Sequence, residues 1–290
     1  MKLFEFVFHS MTTPCRVKLY ADNENMANEC FDEIKFNTLR LEKKYNFYNN
    51  KSYLSRVINR RKRNQISLDN ETYNILKTVR LLSEAIGGLF DITVGTAKEC
   101  YSFKSIKRVE SCIKKKMAFM GLGVWSLEEN MLVTKSKLTL FDLGGVVKEY
   151  AVDEAAKIAK KHCIEAVLIN YGGDIYAYGL KPSGEQFSIG IKNPKNPQEN
   201  IAVLPLEDQA LTTSAGYERN TKVEGREFSH IIGSSLDTSD IVSATIISDS
   251  ALKSGVYSTT FMLTMDVDIP DGMGVMLIDD RLRLHQNLVK

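Results

Sequence analysis

Ala27, Phe31, Ile34, Leu41 and Tyr45, with Thr38 between them, recur at spacings of three and four and predict one long helix with a single buried stripe. Ahead of it, residues 2–9 and 15–21 alternate loosely, which predicts two strands about a turn at Thr12-Thr13-Pro14. A polar loop over 48–55 ends the helix. Asp69 is a good N-cap for a second helix whose inner face is Leu76, Val79, Leu82 and Ile86, stopped by Gly87-Gly88. The strand-like run 138–143 feeds Gly144-Gly145, and a third helix is expected over 146–162. An apolar strand at 166–169 then runs into Asn170-Tyr171-Gly172-Gly173-Asp174.

Further strands are expected at 187–191, 201–206, 228–232 and 241–247, a short helix at 251–263, and a last hairpin pairing 274–278 with 282–285. Strands and helices mix without strict β-α-β alternation. That pattern predicts an α+β fold, a mostly antiparallel sheet packed with helices. The chain reads as a single domain over 1–290, with a candidate sub-domain boundary near 125–135. No repeat or low-complexity linker interrupts it.

The apolar fraction of 43% in 290 residues is ample for a large core. The formal charge is +2, from 38 basic and 36 acidic residues, which gives no global reason to bind nucleic acid or a membrane surface. The basic runs Arg60-Arg61-Lys62-Arg63 and Lys114-Lys115-Lys116 read as solvated turns or helix faces. No stretch reaches the roughly 20 apolar residues of a membrane span. Glu5 and His9 interrupt the N-terminal apolar run too early for a signal-peptide core. Five scattered cysteines form no C-x-x-C pair, which argues against a disulfide framework or a zinc site and for a reducing compartment, with the cytoplasm as the expectation.

Candidate chemistry centres on the two glycine pairs. In Asp142-Leu143-Gly144-Gly145-Val146-Val147-Lys148 a strand feeds two glycines and then a helix, so backbone N–H groups, the positive helix end and Lys148 could together hold a phosphate. The other reading is a tight strand-to-helix turn with Lys148 in solvent. The second pair, Gly172-Gly173, reads equally as a hairpin turn. Neither matches a Walker loop or a dinucleotide fingerprint. His230, in Phe228-Ser229-His230-Ile231-Ile232, is either structural or a proton shuttle near these loops.

Taken in order, these segments resemble the ApbE family. Met11-Thr12-Thr13 resembles its early M-G-T, and residues 52–59 its S-x-L-S-R-x-N block. Residues 88–95 are similar to G-x-F-D-I-T-V-G, residues 142–153 to D-L-G-G-I-A-K-G-Y-A-V-D, and residues 170–175 to N-L-G-G-D-I. Thr213-Ser214, Tyr217 and His230-Ile231-Ile232 resemble T-S-G-x-Y followed by H-I-I-D-P.

The resemblance implies a T-fold-like α+β chain that binds FAD with Mg²⁺. Such a chain transfers FMN to a Ser or Thr of an acceptor flavoprotein and releases AMP. It implies that Met11 and Phe90 line the nucleotide pocket. Asn59, Asp91, Gly144, Gly145, Lys148, Asn170, Gly172, Gly173, Asp174, Thr213 and Ser214 would contact FAD or shape its loops, and His230 would assist proton transfer.

The family's Mg²⁺ site, in A-D-A-x-x-T, falls on Ser254-Gly255-Val256-Tyr257-Ser258-Thr259, so Thr259 is kept and Gly255 stands where the family has Asp. Val147 falls where a backbone carbonyl helps hold the metal. Glu149 stands where the family has Gly, placing a negative charge beside the phosphate site. Asp237, Asp240 and Asp249 are candidate substitute carboxylates, and Gly255→Asp is expected to raise Mg²⁺ affinity. The alternatives are FAD pyrophosphatase activity, or a flavin-binding protein that has lost transfer.

Overall fold

The computed structural model describes residues 1–215, 220–223, 226–229 and 240–288, the second and third of these stretches as backbone only. Eight strands make one large sheet: β1 (Lys2–Ser10), β2 (Thr13–Ala21), β3 (Ala166–Tyr171), β4 (Asp174–Tyr178), β5 (Gln209–Ala215), β6 (Ile241–Ser248), β7 (Gly274–Asp279) and β8 (Leu284–Asn287). Their spatial order is their chain order, and every neighbouring pair is antiparallel. The fold is therefore α+β with an antiparallel sheet, as the sequence pattern predicts.

The helices come from two insertions. Between β2 and β3 lie α1 (Glu24–Tyr45), α2 (Asn70–Ala85), α3 (Ile106–Lys116) and α4 (Val147–Lys161). Between β6 and β7 lies α5 (Ala251–Phe261). Asn23 caps α1 by accepting the Met26 N–H at 2.9 Å, and Asp69 caps α2 through the Thr72 N–H at 2.9 Å. The buried stripe of α1 is Ala27, Cys30, Ile34, Thr38, Leu41 and Tyr45. Phe31 instead sits half-buried, stacked on Phe6 with ring centroids 4.3 Å apart. The core face of α4 is nearly all small: Ala151, Val152, Ala155, Ala156 and Ala159.

Both faces of the sheet are covered, and the alternation along β3 shows how. Val167 and Ile169 point into the helical core, whereas Ala166 faces a long hairpin formed by Phe187–Asn193 and Asn196–Leu206. A small sheet of Gln65–Ser67, Trp125–Glu128 and Met131–Thr134 buttresses the helical side. Where a boundary was expected near 125–135 there is thus a hairpin, and its Trp125 and Leu132 lie in the main core.

Three local expectations need correction. The first turn is Met11-Thr12, both in left-handed backbone, and Pro14 sits inside β2 opposite His9, at a strand start where its missing N–H is tolerated. Residues 138–143 form no strand beyond an isolated bridge, Val94 to Leu140. Side chains hold them instead: Asn59 exchanges hydrogen bonds with both backbone groups of Phe141, and Thr96 accepts the Leu140 N–H at 2.8 Å. Finally, Cys100 and Cys112 form a disulfide that ties the turn over Gly95–Ser102 to α3. A turn-helix reversal brings together two cysteines that pattern alone leaves unpaired, and the bond removes the cysteine argument for a reducing compartment. Cys15 and Cys30 are buried, and burial pushes both thiols up to about 12, so neither is a nucleophile near neutral pH.

Candidate functional site

The strand register brings two tight turns to the same end of the sheet. Ser10 pairs with Thr13 around Met11-Thr12, Tyr171 pairs with Asp174 around Gly172-Gly173, and Cys15 pairs with Tyr171 between them. The turns touch: a Cβ on Gly172 would lie 2.0 Å from the Thr13 Oγ1. Asn170 folds its own turn by accepting the Gly173 N–H at 2.9 Å. The Met11-Thr12 turn is held by Glu42 of α1, whose carboxylate accepts the Met11 N–H at 2.8 Å and the Ser10 hydroxyl at 2.9 Å. Replacing the half-buried Glu42 with Ala should cost about 1–2 kcal/mol, because two donors lose a charged acceptor. Thermal denaturation should report a fall of about 2–4 °C per kcal/mol for a chain of this size; an unchanged midpoint would mean that the turn holds itself.

Next to these turns, Gly144-Gly145 lead into α4. The Asp142 carboxylate accepts the Gly144 N–H at 3.0 Å, which bends the chain, and no side chain caps the helix at Val146. The helix start therefore presents N–H groups and its positive dipole end toward the space in front of it. Lys148 reaches from the first turn of α4 to Asp174, just past Gly172-Gly173, with 2.7 Å between Nζ and Oδ2. Only 15% of the lysine side chain and 3% of the aspartate side chain are exposed. This buried ion pair locks the two double-glycine turns together.

In front of them lies a cleft of ≈ 480 Å³, within the usual range for a small-molecule site. Its walls are the first turn (Met11, Thr12), the C-terminal end of α1 with Phe47 and Tyr48, the segment from Leu89 to Lys98, residues 142–148 and Thr259 of α5. Phe90 lies against Gly145, at 3.8 Å from where a Cβ would stand. Asp91 lines the cleft while accepting from the Thr93 N–H, the Thr93 hydroxyl and the Gly121 N–H. Lys98 pairs with Asp142, donates to the Tyr48 hydroxyl at 3.0 Å and lies over the Phe47 and Tyr48 rings. Burial alone would lower the pKa of Lys98, but Asp142 and Tyr48 more than offset it and hold the ammonium above its usual range.

The far wall is α5, docked on α4 by Asp153. That carboxylate accepts the Ala251 and Leu252 N–H groups and the Ser250 hydroxyl, and burial still pushes it above the ordinary carboxylate range. The docking sets Gly255 against Glu149. A Cβ on Gly255 would meet the Glu149 Cγ at 2.7 Å, its carboxyl carbon at 3.3 Å and Oε1 at 3.5 Å. Glu149 is buried. Among the described residues, no three His, Cys, Asp or Glu side chains come together as a metal cage.

Of the residues singled out from the sequence, Met11, Phe90, Asp91, Gly144, Gly145, Val147, Lys148 and Thr259 line the cleft. Asn59, Asn170, Gly172, Gly173 and Asp174 stand behind its wall as braces. Thr213 bonds Thr245 within the sheet, and Ser214 bonds Ser258, the neighbour of Thr259. His230, Tyr217 and Asp237 lie outside the described residues. The other two candidate substitute carboxylates are at the surface: Asp240 is exposed, and Asp249, also exposed, pairs with Lys253. Sequence reasoning missed Glu42, Phe47, Tyr48 and Lys98, and took Glu149 only as an unfavourable charge.

The ApbE family model matches residues 11–271. The chain is 24% identical to an FAD:protein FMN transferase of Klebsiella pneumoniae over 260 residues, covering 86% of this chain and 78% of that protein. It is 24% identical over 225 residues to one of Vibrio cholerae, covering 74% and 67%. The fold matches the ApbE protein of Thermotoga maritima with a TM-score of 0.87 at 24% identity, over 98% of this chain and 97% of that one. It matches the Vibrio cholerae flavin transferase ApbE with a TM-score of 0.84 at 20% identity, over 99% and 97%.

Proposed function

Because the chain belongs to the ApbE family, we propose that it is an FAD:protein FMN transferase that works in the cleft between the double-glycine turns and α5. The supporting observation is the Lys148–Asp174 pair, which joins both turns at the uncapped start of α4. That arrangement suits the diphosphate of a dinucleotide: backbone N–H groups and a lysine face a doubly charged anion from one side. The apolar and aromatic wall of Phe47, Tyr48, Leu89 and Phe90 suits a flat ring system.

In the reaction, the hydroxyl of an acceptor Ser or Thr attacks the phosphorus of the FMN half. The bond from that phosphorus to the bridging oxygen breaks, AMP leaves with the oxygen, and the hydroxyl proton passes to a base. The resemblance assigns that proton to His230. Lys148 and the α4 N–H groups hold the diphosphate in line and stabilise the charge that develops on it, the main demand of phosphoryl-type substitution.

A divalent cation such as Mg²⁺ fits this end of the cleft in donor chemistry. Val147 and Thr259 line it, and the buried Glu149 carboxylate packs beside Gly255 just behind that wall, so carbonyl, hydroxyl and carboxylate oxygens stand close together there. When bound, the cation would neutralise diphosphate charge.

Incubation with FAD, Mg²⁺ and a candidate acceptor domain tests the proposal. The expected result is flavin fluorescence on the acceptor band in a denaturing gel, with matching AMP release. AMP and free FMN without a labelled band would instead support FAD pyrophosphatase activity. FAD binding without any AMP would support a flavin-binding protein that has lost transfer.

A further inference from the structure

We infer that Glu149 and Gly255 are an exchanged pair, in which the carboxylate that ligates the divalent cation comes from α4 instead of α5. This deepens the proposed function and rests on it. Two of the departures from the pattern the chain resembles lie on these two helices and involve an acid: one is gained at 149, where that pattern has Gly, and one is lost at 255. Taken singly, the first crowds a phosphate site with negative charge and the second removes a metal ligand. The structure puts the two changes in one place. The space a side chain on residue 255 would enter is taken by the Glu149 side chain, down to its carboxyl carbon at 3.3 Å from that Cβ position.

The geometry also says why the two changes go together. Glu149 needs a residue without a Cβ opposite it, since its Cγ would otherwise lie 2.7 Å from that atom. Gly255 and Thr259 are one helical turn apart and so share a face of α5. A carboxylate packed on Gly255 therefore sits on the face that carries Thr259, a residue of the cleft wall. Val147 starts the same turn of α4 as Glu149. Two helix segments, clamped by Asp153, thus gather three kinds of hard oxygen donor at one end of the cleft, Val147 and Thr259 in its wall and the buried Glu149 behind it. Mg²⁺ usually keeps several waters, so one carboxylate with a hydroxyl and a carbonyl is an ordinary arrangement for it before substrate phosphates arrive.

The exchange reverses the expectation for Gly255→Asp. That side chain alone must displace Glu149 and sets two carboxylates against each other, so it should not tighten cation binding. The double variant Glu149→Gly with Gly255→Asp should.

The test is titration of Mn²⁺ alone, without flavin, into the full chain, with free Mn²⁺ counted by electron paramagnetic resonance. The wild type is expected to bind one ion. Glu149→Gln, nearly isosteric, should weaken binding about tenfold or more. Glu149→Gly should do the same, and adding Gly255→Asp to it should restore affinity to within a few-fold of wild type. A wild type that binds no Mn²⁺, a Glu149→Gln chain that binds it as tightly as wild type, or a double variant no tighter than Glu149→Gly would each overturn the inference. FAD binding by the same chains, followed by flavin fluorescence, is read separately. FAD bound with no change in Mn²⁺ affinity defeats the exchange and leaves the transferase reading standing; Mn²⁺ results as expected with no FAD bound do the reverse.

Discussion

Replacing Lys148 with methionine is expected to lower flavin transfer by about 10²- to 10³-fold, the usual effect of deleting one donor to a developing anion, and to destabilise the fold as well. The two losses have different origins. The ammonium faces a cleft wall made of Gly144, Gly145 and the start of α4, where a diphosphate would be held. It also faces Asp174, which is almost fully enclosed. Breaking a buried pair from one side costs about 3–5 kcal/mol, because the remaining charge loses its principal counter-charge.

The double variant Lys148→Met with Asp174→Asn separates the two roles. It removes the stranded carboxylate, so denaturation in urea should return most of the stability. It does nothing for the diphosphate, so transfer should stay low. A Lys148→Met chain that transfers FMN at close to the wild-type rate would remove the lysine from the proposed chemistry. A double variant with both stability and activity restored would make it a structural residue alone.

The long-period elements were legible in the sequence because one physical signal dominates each of them. The α1 stripe, the Asp69 cap of α2, the strand at β3 and the hairpin of β7 and β8 all follow from apolar spacing and local hydrogen bonding. What failed was set by tertiary contacts. Residues 138–143 have strand composition, yet Asn59 and Thr96 supply hydrogen bonds that a neighbouring strand would otherwise give. The bond between Cys100 and Cys112 depends on how α3 folds back, which no spacing rule encodes.

The site divides along the same line. Its glycine turns and Lys148 announce themselves by local chemistry. Lys98, Tyr48 and Glu42 come from elements with no motif, and only packing places them at the cleft. Glu149 shows the difference most sharply. Along the chain it lies beside the phosphate turn, whereas in space it lies against Gly255, which is 106 positions away by the numbering of the two residues.

The same close packing makes Gly172→Ala strongly destabilising. Gly172 sits at φ +64, a left-handed backbone that costs an L-residue roughly 1–2 kcal/mol. Its new methyl group would also lie 2.0 Å from the Thr13 Oγ1 and 3.0 Å from the Thr13 Cβ, so the two turns must part. Overpacking of that kind adds about 1–3 kcal/mol. The combined loss, about 2–5 kcal/mol, should show as a lower urea midpoint.

Two further variants separate the terms. Gly173→Ala meets nothing within 4 Å and should carry the backbone cost alone. Adding Thr13→Ala to Gly172→Ala removes the nearest atom and should recover part of the loss. The functional consequence follows from the covalent chain. Asp174 is two residues beyond Gly172, so parting the turns draws it away from Lys148 and shifts the lysine at the cleft wall. FAD affinity, measured by flavin fluorescence on the folded fraction, should therefore fall in Gly172→Ala and rise again when Thr13→Ala is added. Equal FAD affinity in all these chains would mean that the second glycine turn has no hold on the cleft.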